Sequence, residues 1–316
     1  MKYLIIFIIL AAVSLSLLLI IPTSGAAMDT AVEKSITSEP TDPPAESFDE
    51  ALVLRVLDGE TVVEMSLHDY LLGVVSAELP ESFPAEAQKA QAVAARTFAL
   101  YHAQRKKHPN ADVCTDAGCC QGRCEEWTLA ARQAVEETDG CVATYAGELI
   151  DATYFSCAGG RTEAAVAVWG SDIAYLQSVE SPNEEASPRY SETVVMKGDA
   201  FAEHLQVVRP EANFDVEPSQ WFGKITYTRG GGIDRAVIGG TEFSGNELRA
   251  ALSLRSTSIE FSVSDDEITV TTYGFGHRVG MSQYGAKAMA EGGSSFEEIL
   301  KAYYRGIDLC LLTLAD

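Results

Sequence analysis

The hydrophobic and polar positions divide the chain into three parts. Residues 4–21 are apolar apart from two serines, and residues 23–50 are rich in Pro, Ser, Thr, Asp and Glu. From residue 51 onwards, apolar side chains recur at the spacings of strands and helices, which predicts a folded domain. We therefore predict a separate N-terminal segment over residues 1–22, a disordered tether over residues 23–50 and one large domain over residues 51–316.

The N-terminal apolar run has the length of a membrane anchor. At about 1.5 Å per residue, a helix over residues 4–21 would nearly cross a hydrocarbon core of ~30 Å. A cleavable signal peptide usually has a shorter apolar core of about 7–15 residues. Small residues at positions 23–27 leave cleavage as the alternative. We predict a single-pass transmembrane anchor (or a signal peptide) over residues 1–22, with the domain on the outer side of the cell membrane.

The domain mixes helices and strands without a regular β-α-β rhythm. Strands are predicted at residues 51–57, 61–65, 141–145, 148–155, 259–263 and 267–273, and the last two form a predicted hairpin around residues 264–266. Helices are predicted at residues 66–77, 84–106, 126–137, 244–254, 282–291 and 296–305. Ser244 and Glu247 have the spacing of a capping box at the start of the helix at 244–254, and Ser294 and Glu297 are predicted to cap the last helix. Residues 156–240 are rich in Gly and Pro and give no assignable pattern. The predicted fold class is α+β, with mixed helices and short antiparallel strands in one large exported domain.

The charge of the chain narrows the classes of ligand. The net charge is −23, with 23 basic against 46 acidic residues. A surface that binds nucleic acid needs clustered Lys and Arg, so this composition argues against a nucleic-acid partner. A substrate with few negative charges, such as a neutral glycan, is compatible with it.

Glu78 is the first candidate for chemistry. It lies at the end of the apolar helical turn Gly73–Pro80. Carboxylates are mostly solvated, so an exposed residue at a helix end is the simpler interpretation. However, the Val, Ala and Leu neighbours would remove water from Glu78 and raise the pKa of its carboxyl group. A raised pKa is what a general acid requires.

A second candidate site is a run of potential metal ligands. His108, Cys114, Cys119 and Cys120 lie close together, with Cys124 directly behind them. Structural zinc takes four Cys or His ligands in a tetrahedron. An exported domain could instead form disulfides, but two adjacent cysteines are difficult to bridge to each other. The pattern favours structural zinc, and it leaves the fourth ligand open between Cys119 and Cys124.

Two glycine-rich segments follow, at residues 156–162 and 274–285. Glycine permits close approach of the backbone to a ligand, but turns use it as well. The polar and aromatic side chains of the second segment could hydrogen-bond to and stack on sugar rings. Another interpretation takes Cys157 as a thiol nucleophile with His277 as its base.

Four long segments resemble those of the stage II sporulation protein D family. They are GVVSAELPESFPAEAQKAQAVAARTFAL, ADVCTDAGCCQ, YFSCAGGRTEAAVAVWGSDIAYLQSV and GFGHRVGMSQYGAKAMAEGGSSFEEILKAYYRG. They occur in the family's order across about residues 50–310, so the resemblance covers nearly the whole domain. The chain departs from the family pattern at Arg278, where glycine is common, and this puts the backbone conformation of that loop in question.

The resemblance implies a lytic transglycosylase that cleaves the β-1,4 bond between N-acetylmuramic acid and N-acetylglucosamine in peptidoglycan. The family's catalytic glutamate corresponds to Glu78. Some members hold zinc through a His/Cys set, here His108, Cys114, Cys120 and Cys119. With the resemblance as a guide, we assign to substrate binding the residues Arg96, Ser156, Gly159, His277, Gln283 and Tyr284.

A single carboxylate is sufficient for this reaction. A glycoside hydrolase usually needs a second carboxyl group about 5–9.5 Å from the first. A transglycosylase can use the C6 hydroxyl of muramic acid as its nucleophile, which leaves a 1,6-anhydro end. Glu81 and Glu86 lie close by in sequence and leave a two-carboxylate hydrolase open.

The resemblance also implies a biological setting and an alternative. It implies cell-wall remodelling during sporulation and engulfment, a preference for denuded glycan strands, and partnership with a membrane-anchored peptidoglycan amidase or endopeptidase. The alternative is a glycan-binding scaffold that recruits or stimulates an amidase. A zinc amidase or peptidase is disfavoured, because the chain has no HExxH motif and a Cys-rich site leaves no open position for water.

Overall fold

The computed structural model describes residues 47–314, which belong to one compact unit. The helices are α1 Phe48–Ala51, α2 Leu67–Glu78, α3 Ala85–Gln104, α4 Leu129–Glu137, α5 Ala165–Trp169, α6 Gly198–Val208, α7 Gly245–Ala251, α8 Gln283–Glu291 and α9 Phe296–Tyr303. The strands are β1 Val53–Asp58, β2 Thr61–Ser66, β3 Val113–Cys114, β4 Cys141–Tyr145, β5 Glu148–Leu149, β6 Tyr154–Phe155, β7 Gly160–Arg161, β8 Glu180–Ser181, β9 Ser191–Lys197, β10 Phe222–Tyr227, β11 Ile233–Ile238, β12 Thr241–Ser244, β13 Ser258–Ser264, β14 Glu267–Tyr273, β15 Met281–Ser282 and β16 Asp308–Leu311. Helices mixed with small, mostly antiparallel sheets confirm the predicted α+β class.

The start of the folded region differs from the prediction. The predicted anchor over residues 1–22 and nearly all of the predicted tether lie outside the described residues. Within residues 47–314, none of the helices has the length and apolar character of a membrane span. The side chain of Ser47 caps α1, and Asp49 on α1 is fully buried against Arg96 of α3. Residues 47–50 therefore belong to the fold, because a buried ion pair joins them to α3.

Helix α3 is the centre of the domain and is buried on nearly every side. Its sequence is dominated by alanine, which favours the helix and allows neighbouring elements to approach closely. Ala87, Ala90 and Ala94 belong to a hydrophobic core that includes α8 and α9. Ala92 and Ala99 belong to a second core that includes α2 and α4. The end of α2 and the start of α8 are thus both fixed against the same helix.

Two short parallel pairings bring distant segments together. Strand β1 pairs with β3, which places Cys114 opposite Leu57. Strand β6 pairs with β15, which places Met281 opposite Tyr154. Beyond this pairing, the N–H of Tyr284 donates to the carbonyl of Ser156 at 3.0 Å. The two glycine-rich segments are therefore adjacent in the fold, although more than a hundred residues separate them.

Residues 191–273 form a further hydrophobic core from two three-stranded sheets, β13-β14-β9 and β10-β11-β12, with α6 and α7. The predicted hairpin is confirmed as β13 and β14, and the predicted capping box of Ser244 and Glu247 begins α7. Strands β9, β10 and β11 come from the region that the sequence left unassigned. Strand β9 lies at a sheet edge with exposed valines, so its apolar and polar positions do not alternate as those of a half-buried strand do.

Candidate active site

Glu78 is the last residue of α2. The side chain of Ser66 caps the start of this helix, and Pro80 follows its C-cap residue Leu79. The preceding residues, Leu71 to Val75, are buried in the core, so the helix end carries Glu78 to the edge of the core. The carboxyl group is half-buried, and burial raises its pKa above the usual range of a glutamate, as the sequence predicted. One protein hydrogen bond opposes this rise: Gln283 Nε2 donates to Glu78 Oε2 at 2.8 Å.

The carboxyl group lies between two cavities. The larger has a volume of about 570 Å³ and the smaller about 370 Å³. Glu78, Ser156 and Gln283 line both cavities, so the two form one groove that passes Glu78. A groove that extends to both sides of an acid can hold sugars on both sides of a glycosidic bond.

Aromatic side chains line the larger cavity. They are Phe98, Tyr154, Phe155, Trp169 and Phe275. Aromatic faces offer large apolar area, and the Tyr hydroxyl adds a polar group. The hydroxyl of Tyr154 accepts a hydrogen bond from Gln121 Nε2 at 3.0 Å, which fixes the ring at the cavity wall. None of these aromatic residues was among the predicted site residues. The available signal was the aromatic pair that ends the predicted strand at 148–155, next to a glycine-rich segment.

Four of the assigned substrate-binding residues line the groove. Ser156 and Gln283 lie at the junction with Glu78, Tyr284 lines the smaller cavity, and His277 lines the larger one. The ring of Tyr284 packs edge-to-face on Phe83 with centroids 5.3 Å apart. The positions of these four residues agree with contacts to a ligand, and their role stays a prediction.

His277 is held as a neutral imidazole. Its Nδ1 accepts a hydrogen bond from the N–H of Val279 at 3.1 Å, and its ring packs against Phe155 and Trp169. Burial lowers its pKa to about 4. A group with this pKa is a weak base at neutral pH, so His277 is suited to hydrogen bonding and packing rather than proton abstraction.

The interpretation of Cys157 as a nucleophile is wrong. The thiol is fully buried and donates to Glu184 Oε2, and not to His277. Burial, reinforced by the neighbouring carboxylate of Glu184, raises its pKa to about 12. A buried thiol with this pKa supplies almost no thiolate at neutral pH.

Two of the assigned residues lie away from the groove, and we correct both. Gly159 donates its N–H to Glu184 at 2.9 Å, and a Cβ at this position would lie 2.6 Å from the backbone nitrogen of Gly274. Arg96 is fully buried, and its guanidinium donates to Asp49 and to backbone carbonyls. With its donors satisfied in the interior, Arg96 stabilises the fold and is not available to a substrate.

Arg278 occupies the position at which glycine is common in the family, and its contacts show how the loop accommodates an arginine there. Its backbone has φ of 63°, the left-handed region that glycine adopts most easily. The buried guanidinium donates to the carbonyls of Ala158, Arg161 and Gly230, and it faces Glu163. These contacts hold the loop in a backbone conformation that glycine adopts more easily than arginine.

The predicted ligands His108, Cys114, Cys119 and Cys120 meet in space. Their ligand atoms all lie within 4.8 Å of one another. Tetrahedral coordination at Zn–S distances of about 2.3 Å separates sulfur atoms by roughly 3.8 Å, so this set fits a zinc ion. Cys124 lies outside the set, because its thiol donates to the carbonyl of Glu126 at 2.9 Å. All seven cysteines are free thiols.

The cysteine cluster adjoins the groove. Cys119 and Cys120 line the larger cavity, together with Gly118 and Gln121 of the same loop. The N–H groups of both cysteines donate to the carbonyl of Asp116. A metal held here would fix the loop that forms one wall of the groove.

The groove contains one carboxylate that the sequence analysis missed. Asp151 lines the larger cavity and faces His102, with Oδ1 and Nε2 3.3 Å apart. Glu81 is exposed and lines neither cavity. Glu86 accepts hydrogen bonds from Lys89 and from the N–H of Phe296. Asp151, rather than Glu81 or Glu86, is therefore the second carboxylate that a hydrolase interpretation would require.

A family model and two relatives of this chain carry stage II sporulation names. The family model described as Stage II sporulation protein matches residues 58–145. The chain is 37% identical over 267 residues to Stage II sporulation protein D of Bacillus subtilis (strain 168), which covers 79% of this chain and 76% of that protein. It is 38% identical over 267 residues to Stage II sporulation protein D of Bacillus amyloliquefaciens, which covers 79% of this chain and 75% of that protein.

A more distant relative carries a different name. The chain is 30% identical over 290 residues to the Amidase enhancer of Bacillus subtilis (strain 168), which covers 76% of this chain and 40% of that protein. The identity and coverage shared with the two sporulation proteins are the stronger evidence. On that evidence, the chain belongs to the stage II sporulation protein D family.

Proposed function

We propose that this protein is a lytic transglycosylase that cleaves glycan strands of peptidoglycan in cell-wall remodelling during sporulation. Its family and its relatives support the role in sporulation. The observation that carries the proposed reaction is the position of Glu78. Its carboxyl group lies at the junction of two cavities, and burial favours its protonated form.

The reaction needs one group that gives and then takes a proton. Protonated Glu78 donates to the oxygen of the glycosidic bond while the bond from that oxygen to C1 of N-acetylmuramic acid breaks. The resulting carboxylate accepts the proton of the C6 hydroxyl of the same sugar, and the bond from O6 to C1 forms. The product ends in 1,6-anhydro-muramic acid, no water is consumed, and Glu78 is again protonated. Gln283 holds the carboxyl group in place through its hydrogen bond.

We propose a structural zinc ion at His108, Cys114, Cys119 and Cys120. Four ligands of this kind complete a tetrahedral site, so the metal has no open position for a water nucleophile. The zinc would stabilise the loop that forms a wall of the larger cavity. The proton transfers would remain with Glu78.

The cellular setting is part of the same proposal. We propose that residues 1–22 anchor the protein in the cell membrane and that the domain lies on the cell-wall side. The substrate is the glycan strand, denuded of stem peptides by a membrane-anchored amidase or endopeptidase of the engulfment machinery. The chain's charge of −23 gives no support to a nucleic-acid partner.

The second candidate function is a glycan-binding scaffold that stimulates an amidase. The similarity to a protein named Amidase enhancer favours it. In that case Glu78 would only accept hydrogen bonds from a bound sugar. The groove alone is compatible with either function, so turnover must separate them.

Digestion of purified denuded glycan strands in oxygen-18 water tests these proposals. We expect 1,6-anhydro-muramic ends without oxygen-18, detected by mass spectrometry. Label at the new reducing ends would establish hydrolysis and overturn the transglycosylase mechanism. Bound but uncleaved strands would favour the scaffold function.

A further inference from the structure

The two cavities differ in their charged side chains. Apart from histidines, the cationic residues that line them are Lys107 in the larger cavity and Arg189 in the smaller. Lys107 Nζ donates to the backbone carbonyl of Cys119, so it is engaged with the cysteine loop. Arg189 forms no salt bridge with any residue between 47 and 314, and it lines the same cavity as Glu78. In an acidic protein this is an unneutralised cation in a cavity that the proposed acid also lines.

Arg189 is exposed, and its guanidinium contacts an aromatic ring without using its hydrogen-bond donors. It lies 5.1 Å from the ring centroid of Phe275, a cation–π arrangement that leaves the N–H groups at the guanidinium edge free. The backbone N–H of Arg189 donates to Ser187 Oγ at 3.0 Å. The next carbonyl, of Tyr190, accepts from the N–H of Gly274 at 2.7 Å. The residue is therefore presented to the groove on a fixed backbone.

A neighbouring arginine shows what is particular to Arg189. Arg255 lies 5.8 Å from the same ring of Phe275. However, Arg255 forms a salt bridge with Glu192 at 2.7 Å and lines neither cavity. Both arginines lie beside the ring of Phe275, but only Arg189 lines the groove, and it has no carboxylate partner in the described structure.

A guanidinium with free donors at its edge binds carboxylates through two parallel hydrogen bonds. The substrate of the proposed reaction offers one such group. Muramic acid carries a lactyl ether on C3, two ring atoms from the C1 at which the bond breaks, and its carboxyl group is free only when the stem peptide is absent. We propose that Arg189 binds the free lactyl carboxylate of the muramic acid in the smaller cavity and so makes the enzyme selective for denuded strands.

This inference rests on the proposed function in taking a glycan as the ligand. When a stem peptide is attached, the lactyl group is a neutral amide and forms no ion pair with Arg189. The carboxylates of the peptide would then be added near a protein of charge −23. Selection therefore combines the gain of an ion pair on a denuded strand with repulsion of a substituted one.

Binding measurements without turnover test the inference. In a Glu78→Gln background, dissociation constants are measured for denuded strands and for the same strands with lactyl carboxyl groups converted to amides. We expect Arg189→Gln to weaken binding of denuded strands by about 10- to 100-fold and to leave binding of the amidated strands unchanged. Arg189→Lys should restore part of the loss, and the matched Arg255→Gln should bind both ligands like the parent.

Two outcomes would overturn the inference: equal weakening of both ligands by Arg189→Gln, or no weakening of either. Failure of the catalytic proposal has a different signature. If wild-type protein does not cleave strands but binding still depends on Arg189 and the free carboxylate, only the transglycosylase mechanism is lost. If wild-type protein cleaves both kinds of strand at equal rates, the selectivity is refuted and the mechanism stands.

Discussion

Two neighbouring regions of the molecule use glutamate in opposite ways. Glu184 is buried and accepts hydrogen bonds from the thiol of Cys157, the N–H groups of Ala158 and Gly159, and the hydroxyls of Ser181 and Ser282. We call this region the Glu184 cradle. Glu78 is half-buried at the groove junction and accepts one protein hydrogen bond, from Gln283.

The two regions are built from adjacent residues. Ser156 lines the groove while Cys157 faces the Glu184 cradle, and Gln283 contacts Glu78 while Ser282 contacts Glu184. A buried carboxylate with five donors has its charge fully compensated and serves the structure. A partly desolvated carboxyl group with one donor binds a proton more readily than a solvated one, so Glu78 is suited to proton transfer. The comparison predicts separate consequences for changes in the two regions.

The largest expected effect is on turnover at the groove junction. Glu78→Gln keeps the shape of the side chain but cannot donate and recover a proton. We expect loss of glycan cleavage by about 10²–10⁴-fold or more, with the fold intact by circular dichroism. Glu81→Gln, an exposed change outside both cavities, is the matched control and should cleave like wild type. Wild-type turnover by folded Glu78→Gln would remove Glu78 from the mechanism.

A change in the Glu184 cradle should lower the stability of the protein. Glu184→Gln puts an amide N–H₂ among groups that are themselves donors, so some of the five hydrogen bonds must be lost. We expect the free energy of unfolding to fall by about 2–4 kcal/mol, measured by urea denaturation. The exposed neighbour provides the control, and Glu185→Gln should unfold at the wild-type urea concentration. A Glu184→Gln protein of normal stability would show that the five contacts do not stabilise the loop.

Metal analysis and a cysteine variant test whether zinc stabilises the loop that forms one wall of the groove. If zinc is structural, the purified domain contains one zinc per chain by elemental analysis, and Cys114→Ser lowers its thermal midpoint by several degrees, at roughly 2–4 °C per kcal/mol. Cys310→Ser changes an exposed thiol outside the cluster and should leave both measurements unchanged. A disulfide between Cys114 and Cys120 in metal-free protein would contradict the zinc proposal. Loss of turnover on zinc removal without loss of stability would make the metal catalytic.

A smaller effect is expected at the second carboxylate of the groove. Asp151→Asn preserves the size of the side chain and removes its charge opposite His102. A transglycosylase that relies on Glu78 should lose no more than about 10-fold in activity, whereas loss of an essential base costs about 10²–10⁴-fold. Cleavage rates of Asp151→Asn and wild type on denuded strands distinguish the small loss from the large one. The larger loss, together with oxygen-18 in the products, would identify a two-carboxylate hydrolase.

The smallest expected effect is the contribution of Glu78 to the pH dependence of the protein's stability. Because burial raises the pKa of this group in the folded state, the folded protein binds more protons than the unfolded chain, and stability falls as the pH rises through the interval between the two pKa values. Glu78→Gln removes this cost, so we expect a slightly higher free energy of unfolding than wild type at pH 7. The difference should vanish below the usual pKa of a glutamate, about 4.3. Denaturation curves at both pH values measure it, and a variant less stable at pH 7 would contradict the assigned burial.

Local sequence determined the elements whose signals lie within a few residues. The capping box of Ser244 and Glu247 and the hairpin after Ser258 are confirmed because caps and turns depend on spacing along the chain. Where two local signals overlap, the prediction shifted by one residue. Helix α9 is capped by Ser295 and Glu298, and not by Ser294 and Glu297, because both pairs satisfy the same spacing. The spacing likewise indicated a cluster of His108, Cys114 and Cys120, but it left the fourth place open between Cys119 and Cys124. In the structure the thiol of Cys119 lies with the other three ligand atoms.

Only the tertiary structure decided which polar residues face the groove. Arg96 and Gly159 belong to conspicuous sequence segments, yet the first neutralises buried Asp49 and the second supports the Glu184 cradle. Asp151 and Arg189 lie in segments without a motif, yet both line the groove. The physical reason is that spacing along a chain fixes local conformation and the residue types present, whereas solvation and partners depend on contacts between residues far apart in sequence. The pairing of β6 with β15 provides those contacts here, and it exists only in the folded molecule.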